Sequence, residues 1–340
     1  GSRLGNFGAQ YHYISSNYTH AARDVFNNGC NVVLQMVARQ NDRLSMSCNP
    51  DTSLELRRRL EDSGRDYLSV AVVNDELPFM CGDAEVSPSF YDLHLEGGPH
   101  SHRLFSVPKL QPVGAVDALI GLHASALVAD GGTLQIGIGV LGDAVSHALC
   151  LRHKDNDRYK SALFRAATLP ADEPDSLDSI GGTATFDTGL YGATEMLVEG
   201  FLALHEAGVL KREVYDFWAL QQLINEQRCD PNKLDADVLL GLSELGVREI
   251  RGKDFAVLQY HGLFNQQCHY KDGYITAADG RSVPANVANP QSREVMATDC
   301  LGSKLINDRL LHGGFFLGSN DFYQRLRELP ASIRSKIDMT

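Results

Sequence analysis

The sequence predicts an α/β protein built from open sheets with mainly parallel strands. In the first hundred residues, short β-branched runs alternate with helical patterns, which is typical of a parallel sheet covered on both faces. Beyond residue 130, a glycine-rich turn joins a short strand to a helix. The 340 residues, 43% of them hydrophobic, are enough for about two globular domains.

The first predicted unit covers residues 1–108. A helix capped by Ser16 or Asn17 should end at Asn28, since Gly29 is a natural stop. Prolines recur between residues 75 and 112, so this stretch is predicted to be irregular and to end in a linker at residues 109–112. The other elements predicted here are a strand at Asn31–Val37, a helix at Leu54–Asp62 and a strand at Leu68–Val73.

The second predicted unit covers residues 113–340. Residues 152–185 are charged and are predicted to form a loop-like surface insertion. Asp-Gly pairs at residues 272 and 279 predict a small hairpin region. The other predicted elements are helices at 116–128, 143–151, 195–207, 212–227, 235–245 and 321–329, and strands at 133–136 and 309–318.

Composition excludes several classes of protein. The net charge of −12 argues against a nucleic-acid binder, which needs a basic surface. No apolar run is long enough to cross a bilayer, and the start has no signal-peptide core, so no membrane role is expected. The seven cysteines form no C-x-x-C pair, which favours reduced thiols in a cytoplasmic protein. No metal site is expected, because His100 and His102 lack partners at ligand spacing.

The glycine-rich segment at residues 131–142 is the most informative motif. Gly137, Gly139 and Gly142 remove side chains from a turn into a helix, where backbone N–H groups can approach negative charge. The same letters match the dinucleotide fingerprint G-x-G-x-x-G, so a NAD-dependent dehydrogenase stays an alternative. The residues about 20 positions on are charged and do not resemble the strand that this fingerprint needs. A tight turn without a ligand is a further alternative.

Glu195 is the candidate nucleophile. Thr194 is a good N-cap, so Glu195 is predicted to begin a helix that runs to Ala207. By itself, such an acid is better explained as a surface carboxylate that complements the helix dipole. Together with free N–H groups in a glycine-rich turn, an ionised carboxylate can attack an acyl carbon.

These two segments, Gly131–Gly139 and Thr194-Glu-Met196, resemble the acetyl-CoA hydrolase/transferase family of the class I CoA-transferases. Further stretches are similar to a bacterial long-form branch of that family. They are Tyr13-Ile-Ser-Ser-Asn-Tyr-Thr-His20, Ser45–Asp51, Leu77-Pro-Phe-Met80, Ile120-Gly-Leu-His123 and His312-Gly-Gly-Phe-Phe-Leu-Gly318.

The resemblance implies two CoA-transferase-like α/β units that bind coenzyme A or acyl-CoA as substrate, with no tightly bound cofactor. It implies that Glu195 is the catalytic nucleophile and that Gly137, Gly139 and Val140 form an oxyanion and CoA loop. It also implies acyl or CoA transfer to a carboxylate or to water through a glutamyl intermediate. Arg152, Lys154, Arg158 and Lys160 are candidates for contacts with the CoA phosphates, or else they are simply solvated.

The family also has a later Gly-Val-Gly-Gly-Gln segment, which is not found through Thr340. We therefore expect an internal portion of a longer two-domain protein with an incomplete active site. As partners we expect acyl-CoA and a carboxylate, and either a homo-oligomer or association with the remainder of the chain. A CoA-binding fragment without turnover is the alternative that is not an enzyme.

Overall fold

The computed structural model describes residues 5–97, 103–107, 112–166 and 180–340. The strands are β1 Val32–Gln40, β2 Arg43–Ser45, β3 Leu68–Val73, β4 Glu85–Val86, β5 Leu93–Leu95, β6 Thr133–Leu134, β7 Tyr191–Leu197, β8 His269–Lys271, β9 Tyr274–Thr276, β10 Ser282–Pro284, β11 Leu311–Phe316 and β12 Ile337–Met339. The α-helices are α1 Phe7–Tyr11, α2 Ala21–Asn27, α3 Asp51–Ser63, α4 Ala115–Ala126, α5 Val140–Lys154, α6 Asn156–Ala166, α7 Glu199–Glu206, α8 Trp218–Asn225, α9 Asp237–Glu244, α10 Gly252–Tyr260, α11 Pro290–Val295, α12 Asn320–Glu328 and α13 Ala331–Arg334.

The first sheet has the strand order β4-β2-β1-β3-β5. Its centre is parallel, since β1 pairs with β3 and β3 pairs with β5, whereas β2 and β4 are antiparallel additions. The strand predicted at Leu68–Val73 has those same bounds. Leu56 and Leu60 of α3 are buried in a small cluster with Val33 of β1, so α3 covers one face of this sheet.

The second sheet has the order β12-β11-β7-β6, and all of its pairings are parallel. The α/β class with mainly parallel sheets is therefore confirmed. Parallel strands place all their carboxyl ends at one edge of a sheet, where open α/β sheets usually bind ligands. The ends of β6 and β7 and the glycine-rich turn meet at this edge.

A third, antiparallel sheet of order β10-β9-β8 confirms the predicted hairpin region. Its strands and helices α8 to α11 enclose a core of their own that includes Phe255, Phe264 and Met296. A different core is shared by the first two sheets and joins Val37 and Met80 to Leu134 and Phe316. The predicted linker lies outside the described residues except for Pro112, so the proposed domain boundary stays a prediction.

The prediction of a loop-like insertion at residues 152–185 is wrong over its first part. Helix α5 continues to Lys154, and α6 follows after one residue. Arg152 belongs to the interior, with 1% of its surface exposed, because backbone carbonyl groups surround its guanidinium. Residues 167–179 lie outside the described residues.

The prediction that Glu195 begins a helix is also wrong. Glu195 lies within β7, and the helix begins four residues later at Glu199. Strand β7 is hydrogen-bonded to β6 on one side and to β11 on the other. Pairing with these two strands outweighs the local preference of Thr194 for a helix N-cap. Both partner strands are far away in the sequence, so no local pattern could have revealed them.

Candidate active site

The glycine-rich turn leads from β6 into α5. Gly139 immediately precedes the helix and has a φ of 119°, a conformation that side-chain-bearing residues rarely adopt. The helix begins at Val140, three residues earlier than the sequence predicts. Its first N–H groups therefore belong to residues next to Gly139, and backbone donors of this kind have no partner within their own helix.

Gly142 closes the turn rather than opening it to a ligand. A Cβ atom at this position would lie 2.2 Å from the carbonyl oxygen of Gly137 and 2.9 Å from Cγ2 of Ile136. A Cβ atom on Gly137, by contrast, would meet nothing within 4 Å. The motif thus combines one glycine needed for packing with a second glycine that leaves space open.

Glu195 lies beside this turn. Strands β6 and β7 pair with Thr133 opposite Tyr191 and Leu134 opposite Gly192. The Thr194 hydroxyl lies 3.4 Å from the Ile136 carbonyl oxygen, and it donates to the Met196 carbonyl at 2.9 Å. Thr194 is buried, whereas Glu195 is exposed, as alternation along a strand requires.

A cavity of about 530 Å³ opens at the same edge of the sheet. The sequence-predicted Gly137 and Gly139 are among its lining residues, but Val140 and Glu195 are not. Its walls come from the turn, from one face of α5, from α7 and from the start of α12. The lining residues are Val107, Gly137, Ile138, Gly139, Asp143, Ser146, His147, Cys150, Lys154, Val198, Glu199, Gly200, Ala203, Glu206, Leu317, Gly318, Ser319 and Arg325.

Charged side chains of both signs line this cavity. Asp143 lies in the first turn of α5, where burial, and secondarily the charge of Glu199, raises the pKa of its carboxyl. Arg325 of α12 forms ion pairs of 2.8 Å with both Glu199 and Glu206 of α7. Lys154 lines the far end, at the last residue of α5.

The structure separates the four basic residues that the sequence singled out. Arg152 points inward and donates to the carbonyl groups of Ala184 and Val128, both at 2.6 Å. Lys154 lines the cavity, whereas Arg158 and Lys160 are exposed on α6 and do not line it. Only one of the four therefore faces the candidate site.

Sequence reasoning missed the acidic lining residues and Arg325. Asp143 and Lys154 share a helix face with Ser146 and Cys150, a spacing of three or four residues that was visible in the sequence. Arg325 carried no comparable signal, because it reaches the cavity from a helix 126 residues after Glu199.

The parts of the chain that the structure describes hold no group of three or more His, Cys, Asp or Glu side chains placed to bind a metal ion. In those same parts, no helix combines the length and apolar character needed to traverse a bilayer.

The comparisons with known proteins give a match over part of the sequence. No protein-family model matches the chain. Over 91 residues, the chain is 40% identical to the 4-hydroxybutyrate coenzyme A transferase of Clostridium kluyveri, a stretch that covers 26% of this chain and 19% of that protein.

Solved structures are similar at lower identity. RipA from Yersinia pestis has 16% identity and a TM-score of 0.47, over 96% of this chain and 45% of that one. The 4-hydroxybutyrate CoA-transferase of Porphyromonas gingivalis has 14% identity and a TM-score of 0.44, over 100% of this chain and 53% of that one. The chain thus spans about half the length of these solved proteins. The sequence similarity links part of this chain to the CoA-transferases.

Proposed function

We propose that this chain belongs to an enzyme that transfers CoA or acyl groups between an acyl-CoA thioester and a carboxylate or water. Glu195 is the nucleophile, and the backbone around Gly139 and Val140 stabilises the oxyanion. One observation carries the proposal: Glu195 lies on the strand next to the glycine-rich turn, at the sheet edge where the cavity opens. The 40% identity to a CoA-transferase over 91 residues supports the same chemistry.

The reaction proceeds through covalent steps, each easier than the direct transfer. The Glu195 carboxylate attacks the thioester carbonyl, the carbon–sulfur bond breaks, and CoA leaves as a thiolate. The resulting acyl-glutamyl anhydride is attacked by that thiolate at the glutamyl carbonyl, which releases the first carboxylate and leaves a glutamyl-CoA thioester. An incoming carboxylate then takes the CoA by the reverse steps, or water hydrolyses the thioester.

The oxyanion that forms in each attack needs N–H donors in place beforehand. A glycine-rich turn at the start of a 15-residue helix offers such donors without side chains in the way. The exposure of Glu195 leaves its carboxylate open to a substrate that enters along the sheet edge.

Two features argue against a dehydrogenase. In the dinucleotide fold, the second strand follows the first helix directly and presents an acidic residue about 20 positions on, whereas here the helix α6 comes between α5 and the next described strand, β7. The pyrophosphate of that fold lies at the helix N-terminus, where here the carboxyl group of Asp143 lines the cavity.

The experiment compares Glu195→Ala, Glu195→Gln and Glu195→Asp with the unchanged protein, each in the full-length enzyme to which this chain belongs, using acetyl-CoA turnover with and without acetate. We expect each variant to lose about 10²-fold or more in rate, since even a shortened carboxylate is displaced by about an ångström. Borohydride should reduce a trapped glutamyl-CoA thioester at Glu195 and at no other glutamate. Glu294→Ala, at an exposed position on α11, is the matched control.

Retained turnover in Glu195→Ala would contradict the assignment of the nucleophile. CoA binding by the unchanged chain without any turnover would favour the non-catalytic CoA-binding alternative. Binding of NAD without binding of CoA would favour the dehydrogenase.

A further inference from the structure

The cavity is elongated along α5. The residues of α5 that line it, Asp143, Ser146, His147, Cys150 and Lys154, recur every three or four positions and so form one stripe on the helix. At about 1.5 Å per residue, the 15 residues of α5 measure about 22 Å from the glycine-rich turn to Lys154. The cavity therefore has two ends of different character, with the glycine-rich turn at one and a lysine at the other.

Charged side chains make the two ends of the cavity electrostatically different. Asp143 and Glu199 lie near the glycine end, and burial, followed by the charge of Glu199, raises the pKa of Asp143. A carboxylate in the first helical turn also offsets the positive end of the helix dipole. A phosphate group is therefore disfavoured at the glycine end, whereas an uncharged thioester is not.

The far end of the cavity carries the ammonium group of Lys154. Lys154 and Glu206 both lie close enough to Cys150 to influence its thiol electrostatically. Glu199 and Glu206 are both paired with Arg325 at 2.8 Å, so the two ends of the cavity differ chiefly through Asp143 and Lys154. Within the described residues, Lys154 lines the cavity without an ion pair of its own. An anionic group would thus meet an available ammonium group at this end.

The length of the cavity fits the ligand that the proposed function requires. An extended chain gains roughly 3.4 Å for every three bonds, so the arm of CoA from sulfur to its first phosphorus measures roughly 15 Å. Helical side chains lean toward the N-terminus of their helix, so the Lys154 ammonium can reach back about one turn, roughly 5 Å, from the helix end. From the glycine-rich turn to that ammonium is therefore roughly 17 Å, close to the reach of the arm.

We infer that the pantetheine arm of CoA lies along α5, with its thioester at the glycine-rich turn and its inner phosphate on Lys154. The inference rests on the proposed function. It assigns Lys154 as a phosphate-binding residue, and it assigns α5 as the helix whose length matches that of the pantetheine arm.

The test is calorimetric titration of the unchanged chain and of Lys154→Ala with three probes: CoA, 4′-phosphopantetheine and pantetheine. We expect Lys154→Ala to weaken CoA and 4′-phosphopantetheine by the same factor, roughly three- to tenfold at low salt, because a partly exposed charge pair is screened by water and ions. Pantetheine, which carries no phosphate, should bind both proteins equally. Lys154→Arg should restore most of the loss.

Lys160→Ala is the matched control, since Lys160 is an exposed lysine on the next helix and does not line the cavity. Equal weakening of all three probes would show a general effect on the cavity and overturn the inference. Weakening of CoA alone would place Lys154 at the nucleotide and overturn it as well. If neither CoA nor pantetheine binds the unchanged chain, the proposed function fails together with the inference, whereas CoA binding that Lys154→Ala leaves unchanged overturns the inference alone.

Discussion

The Thr194 hydroxyl lies 3.4 Å from the carbonyl oxygen of Ile136, and the two residues are 58 positions apart in the sequence. This contact joins the strand that carries Glu195 to the strand that enters the glycine-rich turn. The position of the candidate nucleophile relative to the candidate oxyanion donors is therefore set by strand pairing. A rigid sheet edge holds such groups more precisely than two separate loops would.

Gly142→Ala should destabilise the protein, and Gly137→Ala should not. A methyl group on Gly142 would lie 2.2 Å from the Gly137 carbonyl oxygen, so the turn would have to open. Overpacking of this kind typically costs about 1–3 kcal/mol in the free energy of unfolding, which urea denaturation measures. Gly137→Ala is the matched control, because its methyl group meets nothing within 4 Å. Equal stability of the two variants would contradict the packing role of Gly142.

Arg152→Met should be among the most destabilising single substitutions in the second unit. The Arg152 guanidinium is buried, donates to three backbone carbonyl groups and lies 4.3 Å from the centre of the Phe186 ring. Methionine removes three hydrogen bonds that the guanidinium donates to backbone carbonyl groups, at a cost of about 3 kcal/mol or more. Arg158→Met, at an exposed position one helix later, should stay within about 0.5 kcal/mol. Thermal denaturation of both variants checks this, and a small effect at Arg152 would contradict it.

Asp143→Asn should change how stability depends on pH. Burial and the charge of Glu199 raise the pKa of Asp143 above its ordinary 3.8. A raised pKa means that the folded state favours the protonated carboxyl. This contribution to stability is fully present below pH 3.8 and is lost as the pH rises through the raised pKa.

The unchanged chain should therefore lose stability relative to Asp143→Asn as the pH rises from about 4 toward neutrality. Denaturation midpoints of both proteins across this range provide the measurement. The matched control is Asp157→Asn, an exposed acid in the first turn of α6. A difference between Asp143→Asn and the unchanged chain that does not vary with pH would refute the prediction.

Arg325→Met should loosen one wall of the cavity. Arg325 bridges Glu199 and Glu206 and so fastens α12 to α7. Each partly exposed ion pair contributes up to about 1 kcal/mol, and the three side chains should couple. A double-mutant cycle with Glu206→Gln measures that coupling, and CoA titration shows its effect on the cavity. Strictly additive losses of stability would show that the ion pair with Glu206 contributes nothing.

Much of the fold was predictable because its signals are local. The strand at Leu68–Val73 is a short apolar run between polar turns, and it appears with the predicted bounds. The glycine-rich turn was predictable for the same reason, since a φ of 119° at Gly139 requires a residue without a side chain. The antiparallel hairpins after residue 269 followed from their Asp-Gly turns.

The local surroundings of Glu195 were not predictable in this way. The local sequence of Tyr191–Leu197 is compatible with the start of a helix as well as with a strand, and Thr194 is a good helix N-cap. It is a strand because β6 and β11 pair with it on both sides, and β11 begins more than a hundred residues later. Arg152 was misread for a related reason, since the carbonyl groups that bury it come from segments 24 to 32 residues away.

The sequence by itself therefore determined the candidate site residues: a glycine-rich turn, a glutamate and a set of basic residues. Only the tertiary structure decided where these residues lie, with Glu195 on a strand, Arg152 in the interior and Lys154 at the end of a cavity. The physical reason is the separation in sequence between the residues that interact. Turn conformation and helix termination depend on neighbours within a few residues, whereas strand pairing and the burial of charge depend on partners that only the folded chain brings together.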